Sequence, residues 1–337
     1  MTTALRVGVV GLGYWGPNLA RNFSRLAGAE LRWCCDEDDE RRARFAPQFP
    51  QTRFTGRFDE LLADPELDAV VIATPAPSHH PLGRRAMEAG KHLFIEKPLA
   101  LTAAEARELE GLAREGGRTL MVGHLLRFHP GVVKLRELID AGELGELLYV
   151  YGNRQNLGVI REHENALWSL GVHDVSVVLY LIGERPIEVW ARGEAYLQPG
   201  IEDVVFGYIR FASGQIGHLH LSWLDPNKIR RMTVVGSRRM AVFDDMETDR
   251  KVTVYDKGPV VTAPGKISTH TGDIHILGIS HEEPLRIECR AFLEAVAGGG
   301  DHPANGAEGV AVVEVLEALQ RSLEQSGAAI ALEPART

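Results

Sequence analysis

Cysteine is scarce in this 337-residue chain: there are three, two of them adjacent as Cys34 and Cys35. That number and spacing make neither a disulfide framework nor a metal-ligand pattern, and predict reduced, mostly buried thiols. Long hydrophobic runs are missing as well. None approaches the roughly 20 apolar residues of a membrane span, and MTTALRVGVVG opens a strand without a signal-peptide layout. A cytoplasmic protein with no membrane partner is expected. Positive charge is in deficit, at 37 Lys and Arg against 46 Asp and Glu, for a net charge of -9. This argues against broad binding to nucleic acid, so any anionic ligand must be met by a local pocket. With 45% hydrophobic and 25% charged residues, the chain has core material for two domains.

The segment LRVGVVGLGYWGPNLARNFSRL passes from a β-branched run at Val7 to Val10 through Gly11, Gly13 and Gly16 into a helical pattern of Leu19, Ala20, Phe23 and Leu26. Strand, glycine turn and helix are the context in which G-x-G-x-x-G binds a dinucleotide. The glycines let the backbone approach a pyrophosphate, whose charge is met by amides at the helix N-terminus. Tyr14 and Trp15 lie within the turn. The next apolar run, AELRWCC, ends at Asp36, placed to accept hydrogen bonds from the adenosine ribose and to repel a 2′-phosphate. NAD is therefore the expected cofactor.

Strands and helices keep alternating. LDAVVIATPAPSHH reads as a strand ending in Thr74, Pro75 and His79, followed by a helix closed by Gly90. HLFIEKPLALT is a strand ending in Glu96, Lys97 and Pro98. Thr102 then offers an N-cap, with Glu105 at the capping-box position. TLMVGHLLRF supplies a further strand. The fold expected for residues 1–125 is a doubly wound parallel sheet of Rossmann type, with ligands at the carboxyl ends of its strands. A lysine there sits before proline, in extended backbone that projects it from the strand end.

Residues 126–337 change character. ELLYVYGNRQNL, IEVWARGEAYL, DVVFGYIRF, QIGHLHLSWL, RRMTVVG and RMAVFDD are strands without alternating long helices, which predicts an α+β domain with an open, mostly antiparallel sheet. Leu219, Leu221 and Trp223 fall on one face, and His218, His220 and Ser222 on the other. No acidic or cysteine partner set accompanies the histidines, so no metal is expected. In ENALWSLGVHDVSVVLYLIG, Val172, Val175, Leu179 and Ile182 recur at helical spacing up to Gly183. His173 lies near the start of that helix, where the positive dipole end favours neutral imidazole and hence a proton acceptor.

The glycine turn, ATPAPSHH, EKPLA and the histidine-bearing helix after GELGELLYVYG together resemble the Gfo/Idh/MocA family over nearly the whole chain. The resemblance implies Lys97 beside the nicotinamide ring and the substrate hydroxyl, and a Lys97–Pro98 bond that is often cis. It implies Thr74, Pro75, His79 and Glu96 around the cofactor, and a homo-oligomer, dimer or tetramer, joined through the open sheet. The family's usual aspartate four residues before the histidine is here Ser169, and Asp174 follows the histidine. That departure, with NLGVIREHE, SWLDPNKIRR and HEEPLRIECRAFLEAV, is similar to the branch that oxidises the 3-hydroxyl of UDP-N-acetylglucosaminuronate for surface-polysaccharide synthesis. In that branch NAD can be regenerated with 2-oxoglutarate. Such a substrate needs cations for a diphosphate and a carboxylate, and Arg154, Arg161, Lys228, Arg230 and Arg231 are near these motifs. Asn156 and Asn165 could read sugar hydroxyls. Two alternatives stay open: a dehydrogenase or ketoreductase of another sugar or an inositol, and a non-catalytic dinucleotide-binding regulator.

Overall fold

The computed structural model describes residues 4–263, 266–298 and 302–332. The chain begins with β1 (Leu5–Val10), α1 (Gly16–Arg25), β2 (Ala29–Cys35), α2 (Asp39–Phe45), β3 (Arg53–Thr55), α3 (Phe58–Leu62), β4 (Ala69–Ile72), α4 (His79–Glu88), β5 (His92–Glu96), α5 (Ala103–Gly116) and β6 (Leu120–Gly123). Among the described residues these six strands pair in the order β3-β2-β1-β4-β5-β6, every neighbouring pair parallel. The order reverses between β1 and β4, where Val10 pairs with Ile72, which makes this a doubly wound sheet with its crevice at that reversal. Its strands are short apolar runs because both faces are covered: all four residues of β4 and of β6 are buried. The Thr102 side chain accepts from the Glu105 amide at 3.2 Å and starts α5, which Gly117 ends in a left-handed conformation.

The next elements are α6 (Pro130–Asp140), β7 (Leu147–Gln155), a π-helical turn at Leu167–Gly171, α7 (Val172–Ile182), β8 (Pro186–Glu194), β9 (Val204–Phe211), β10 (Ile216–Ser222), β11 (Ile229–Gly236), β12 (Met240–Asp244), β13 (Val252–Ala263) and β14 (Lys266–Leu277). After α8 (Pro284–Gly298) and α9 (Gly306–Glu324), β15 (Ile330–Ala331) joins the second sheet. The sheet order is β14-β13-β12-β11-β7-β10-β9-β8-β15 among the described residues, antiparallel except for the β7–β10 pair. Leu219, Leu221 and Trp223 are buried, as their spacing predicts. The opposite face carries stacked rings: Tyr149 on Tyr151, Trp190 on Tyr208 and Phe206 on His220.

Two compact units emerge, Met1–Phe128 with Glu282–Val313, and His129–His281 with Glu314–Thr337. A contiguous division at 125/126 does not describe them, because the chain returns to the first unit through α8 and the start of α9. The cause is apolar. Phe292 of α8 packs edge-to-face on Phe23 and Phe94, at centroid distances of 6.2 and 5.8 Å, and completes a core that includes Leu19, Val71 and Met121.

Candidate active site

Each glycine of the first turn has a separate reason to be glycine. Gly11 has φ of 90°, and a Cβ there would stand 2.7 Å from the Ala73 carbonyl oxygen. A Cβ on Gly16 would stand 1.7 Å from the Gly11 carbonyl oxygen, so the start of α1 lies directly on the strand end. At Gly13 a Cβ would meet nothing within 4 Å, leaving open ground beside an α1 N-terminus that no side chain caps. These residues fit a pyrophosphate. Tyr14 is exposed and lies edge-to-face with half-buried Trp15, 5.8 Å between centroids. Asp36 directly follows β2, with its carboxylate accepting from the Leu12 amide at 2.5 Å and the Asp38 amide at 2.9 Å, which turns it towards the glycine turn.

At the ends of β4 and β5, Thr74 accepts a hydrogen bond from Ser78 Oγ at 2.7 Å and Pro75 is exposed. Two expected cofactor contacts turn inward instead. His79 is 1% exposed, with Nδ1 2.7 Å from the Pro98 carbonyl oxygen and Nε2 2.8 Å from that of Thr74. Burial lowers its pKa, with Lys97 lowering it further, while the two carbonyl acceptors oppose that shift; as a neutral ring it donates to only one of the two carbonyls, and the other nitrogen merely packs against its neighbour. Glu96 is buried against Gly123, and Lys97, half-buried on a cis bond to Pro98, follows it at the strand end. Burial also pushes the Cys34 thiol up to about 12 and that of Cys35 to about 11, so both are protonated core residues.

The second unit supplies His173, half-buried on α7. The helical backbone does not start there. Ala166 and Gly171 are both in the right-handed helical conformation, and the π turn between them runs straight into α7. His173 is thus well inside a helical run, and the dipole argument, which holds for a first turn, does not apply to it. The sequence signal misled because Ser169 and Gly171 look like an N-terminus, whereas Asn165 is the residue that receives the Trp168 amide, at 3.2 Å. Asn165 is buried, and its amide nitrogen donates to Glu202 and Gln320 at 2.6 and 2.9 Å, so it braces the helix rather than reading a sugar. Ser169 Oγ accepts from the Trp223 indole at 3.1 Å.

Most of the expected anion receptors are also engaged. Arg154 forms an ion pair with buried Asp174, the residue after His173. Arg230 lies 3.6 Å from Asp245, Arg231 2.6 Å from Asp244 and Arg161 3.5 Å from Glu164. Arg161 and Lys228 are exposed. Asn156 follows β7 with its amide donating to the Ser222 carbonyl at 3.1 Å. Among the described residues, no group of three or more His, Cys, Asp or Glu could hold a metal ion, and no helix is long and apolar enough to cross a membrane.

The Arg154–Asp174 pair has a pH signature. Burial raises the Asp174 pKa, while Arg154 and Arg230 pull it back. An acid raised in the folded state binds more protons folded than unfolded, so it costs stability as pH rises through the interval between its two values. Arg154→Met widens that interval. The variant will lose about 3 kcal/mol or more at about pH 8 and clearly less at about pH 5, where protonation relieves the stranded carboxylate. Melting curves at both values check this, and a loss independent of pH contradicts it.

A glycine turn at the end of β1, a carboxylate directly after β2 and a lysine at the end of β5 are an arrangement that fits a dinucleotide-binding oxidoreductase. Comparison with known proteins agrees. Residues 5–124 match the model described as "Oxidoreductase family, NAD-binding Rossmann fold", and residues 132–242 match the GFO/IDH/MocA C-terminal domain. The chain is 30% identical to the UDP-N-acetylglucosamine 3-dehydrogenase of Acidithiobacillus ferrooxidans over 93% of this chain and 95% of that protein. It is also 30% identical to the scyllo-inositol 2-dehydrogenase (NAD(+)) of Bacillus subtilis, over 83% and 86% of the two chains. The structure of GenD2 from gentamicin A biosynthesis in complex with NAD superposes with a TM-score of 0.83 at 27% identity, covering 99% of this chain and 98% of the other. The protein belongs to the GFO/IDH/MocA oxidoreductase family, and its first unit is an NAD-binding Rossmann domain.

Proposed function

We propose that this protein is an NAD-dependent dehydrogenase of a nucleotide-linked sugar, and that it oxidises C3 of UDP-N-acetylglucosaminuronate to the 3-keto sugar. The observation that supports the reading is the place of His173, half-buried on α7 beside a buried aspartate that is ion-paired with Arg154. His173 takes the proton of the C3 hydroxyl. Lys97 orients that hydroxyl and stabilises the developing negative charge on its oxygen. Asp36 and the turn of Gly11, Gly13 and Gly16 hold the adenosine half of NAD, and Thr74 and Pro75 border the nicotinamide. Bound NAD supplies the hydride acceptor. The uronate carboxylate and the diphosphate would be met by exposed Lys228 and by Arg161, whose contact with Glu164 at 3.5 Å would have to yield to the substrate. The stacked face of the second sheet meets another copy of the chain, and the enzyme works in the cytoplasm.

A second reading has its own support. With Arg154, Arg230 and Arg231 paired, the plain UDP-N-acetylglucosamine needs fewer cations than the uronate, and a relative at 30% identity is named for oxidising that sugar. The test is incubation of the protein with NAD and, separately, both UDP sugars, myo-inositol, scyllo-inositol and glucose, with and without 2-oxoglutarate, and products identified by mass spectrometry. A keto product from the uronate alone is the expected result. Turnover of UDP-N-acetylglucosamine instead selects the second reading, turnover of an inositol or glucose ends both, and NAD binding with no turnover moves the weight to a regulator.

A further inference from the structure

The first unit buries two carboxyl groups, Glu96 of β5 and Glu288 of α8. Alternate strand residues share a face, so Phe94 and Glu96 of β5 point the same way. Residues four apart share a helix face, as Glu288 and Phe292 do on α8. Phe292 packs on Phe94 at 5.8 Å, and two strand residues and one helical turn both advance about 6 Å. That register brings Glu288 to Glu96, within electrostatic reach.

Glu288 is 0% exposed and, among the described residues, neither carboxyl oxygen has a hydrogen-bond partner. Glu96 is 8% exposed; its Oε2 lies 3.3 Å from the Lys97 amide and where a Cβ on Gly123 would meet it at 3.0 Å. The ionisable groups around the pair are Lys97 on the same strand end, His124 and Arg127 after β6, Cys289 on α8, Glu283 just before it and Arg21 on α1. His124 is 2% exposed and neither ring nitrogen has a partner among the described residues. Two adjacent buried carboxylates cannot both be charged. Burial pushes Glu96 up to about 7, against the pull of Lys97, and raises Glu288 well above the usual range, with the Glu96 charge adding to the rise. Burial first, then Arg127 and Lys97, hold His124 neutral, and burial keeps Cys289 protonated.

We propose that Glu288 is a positioning residue for Lys97: it remains a protonated acid and donates a hydrogen bond to Glu96, which keeps the Glu96 carboxylate ionised beside the lysine. This rests on the role given to Lys97 above. The Glu288 O–H reaches a Glu96 oxygen directly or through one buried water, and no proton leaves the pair. One shared proton leaves one negative charge, which balances the Lys97 ammonium where solvent screens little. Without the donor, Glu96 takes up its proton at a higher pH than in the wild type, so at neutrality less negative charge stands beside the ammonium.

The test is infrared titration of the full-length protein with NAD, from about pH 5 to about pH 9, as wild type and as E288Q, E288L and E96Q. Wild type should keep a protonated-carboxyl carbonyl band at the alkaline end, and E288Q should lack it. A second band should titrate near neutrality, vanish in E96Q, stay in place in E288Q, which still offers a donor, and move to higher pH in E288L. An alkaline end without the first band, or an unmoved second band in E288L, overturns the proposal. The wild-type spectrum alone decides the first point if a variant fails to fold. With a sugar that wild type oxidises, the acid limb of kcat should move with the second band in E288L, lowering the rate on that limb about tenfold for each pH unit the band moves, and E288Q should recover most of it. If no sugar is oxidised, the functional reading fails while the infrared bands still judge the carboxyl pair.

Discussion

His173→Ala will lower kcat on the oxidised sugar by about two to four orders of magnitude, the usual contribution of a positioned general base. The affinity for NAD should hardly change, because every residue assigned to the dinucleotide belongs to the first unit and His173 to the second. Folding should survive as well. The side chain is only half-buried, alanine is a strong helix former, and the neighbouring Arg154–Asp174 pair remains intact. Steady-state kinetics beside a melting curve separate the two effects. A kcat within about tenfold of wild type would remove the histidine from the role of base, since even modest general-base catalysis exceeds that factor.

Gly16→Ala should be the most damaging single methyl in the nucleotide half. The added carbon would stand 1.7 Å from the Gly11 carbonyl oxygen, which is backbone and cannot swing aside as a side chain could. Either the start of α1 or the end of β1 must shift, at a cost of about 1 to 3 kcal/mol, and both line the ground meant for the pyrophosphate. NAD affinity should fall by about a hundredfold, which corresponds to roughly 2.7 kcal/mol. Gly13→Ala makes the internal comparison, since its Cβ meets no protein atom within 4 Å. Its stability should stay near wild type, and any loss of affinity would come from the ligand side. Calorimetric titration with NAD and thermal melts check both variants; equal stability of Gly16→Ala and wild type would show that the turn yields more easily than its geometry implies.

The first sheet was largely legible in the sequence because its determinants are local. Val7–Val10, Ala69–Ile72 and Leu93–Ile95 are continuous apolar runs buried on both faces, and Gly11, Gly16, Thr102 and Gly117 punctuate them with steric or hydrogen-bonding necessity. The buried face of β10 was legible for the same reason. What escaped depends on partners far along the chain. Alternation along β13 and β14 carries little signal because both faces of β14 are exposed over Lys266–Ile276. Ser169 and Gly171 imitate a helix start that Asn165 actually provides. Arg154 read as a free anion receptor because nothing near it in sequence announces Asp174, 20 positions away. Glu288 left one trace: a carboxylate in the apolar stripe of Leu285, Cys289 and Phe292, where the helical repeat calls for a hydrocarbon.

Because Phe292 closes the core over Phe23 and Phe94, the nucleotide-binding unit is not finished when its own sheet has been synthesised. A nascent chain that has just released β6 from the ribosome still exposes that aromatic pair, and it must extend by more than 160 residues, from Gly123 to Phe292, before the cover arrives. Residues 129–281 of the second unit are therefore made during the wait, and the part of that unit that starts at Glu314 only after the cover.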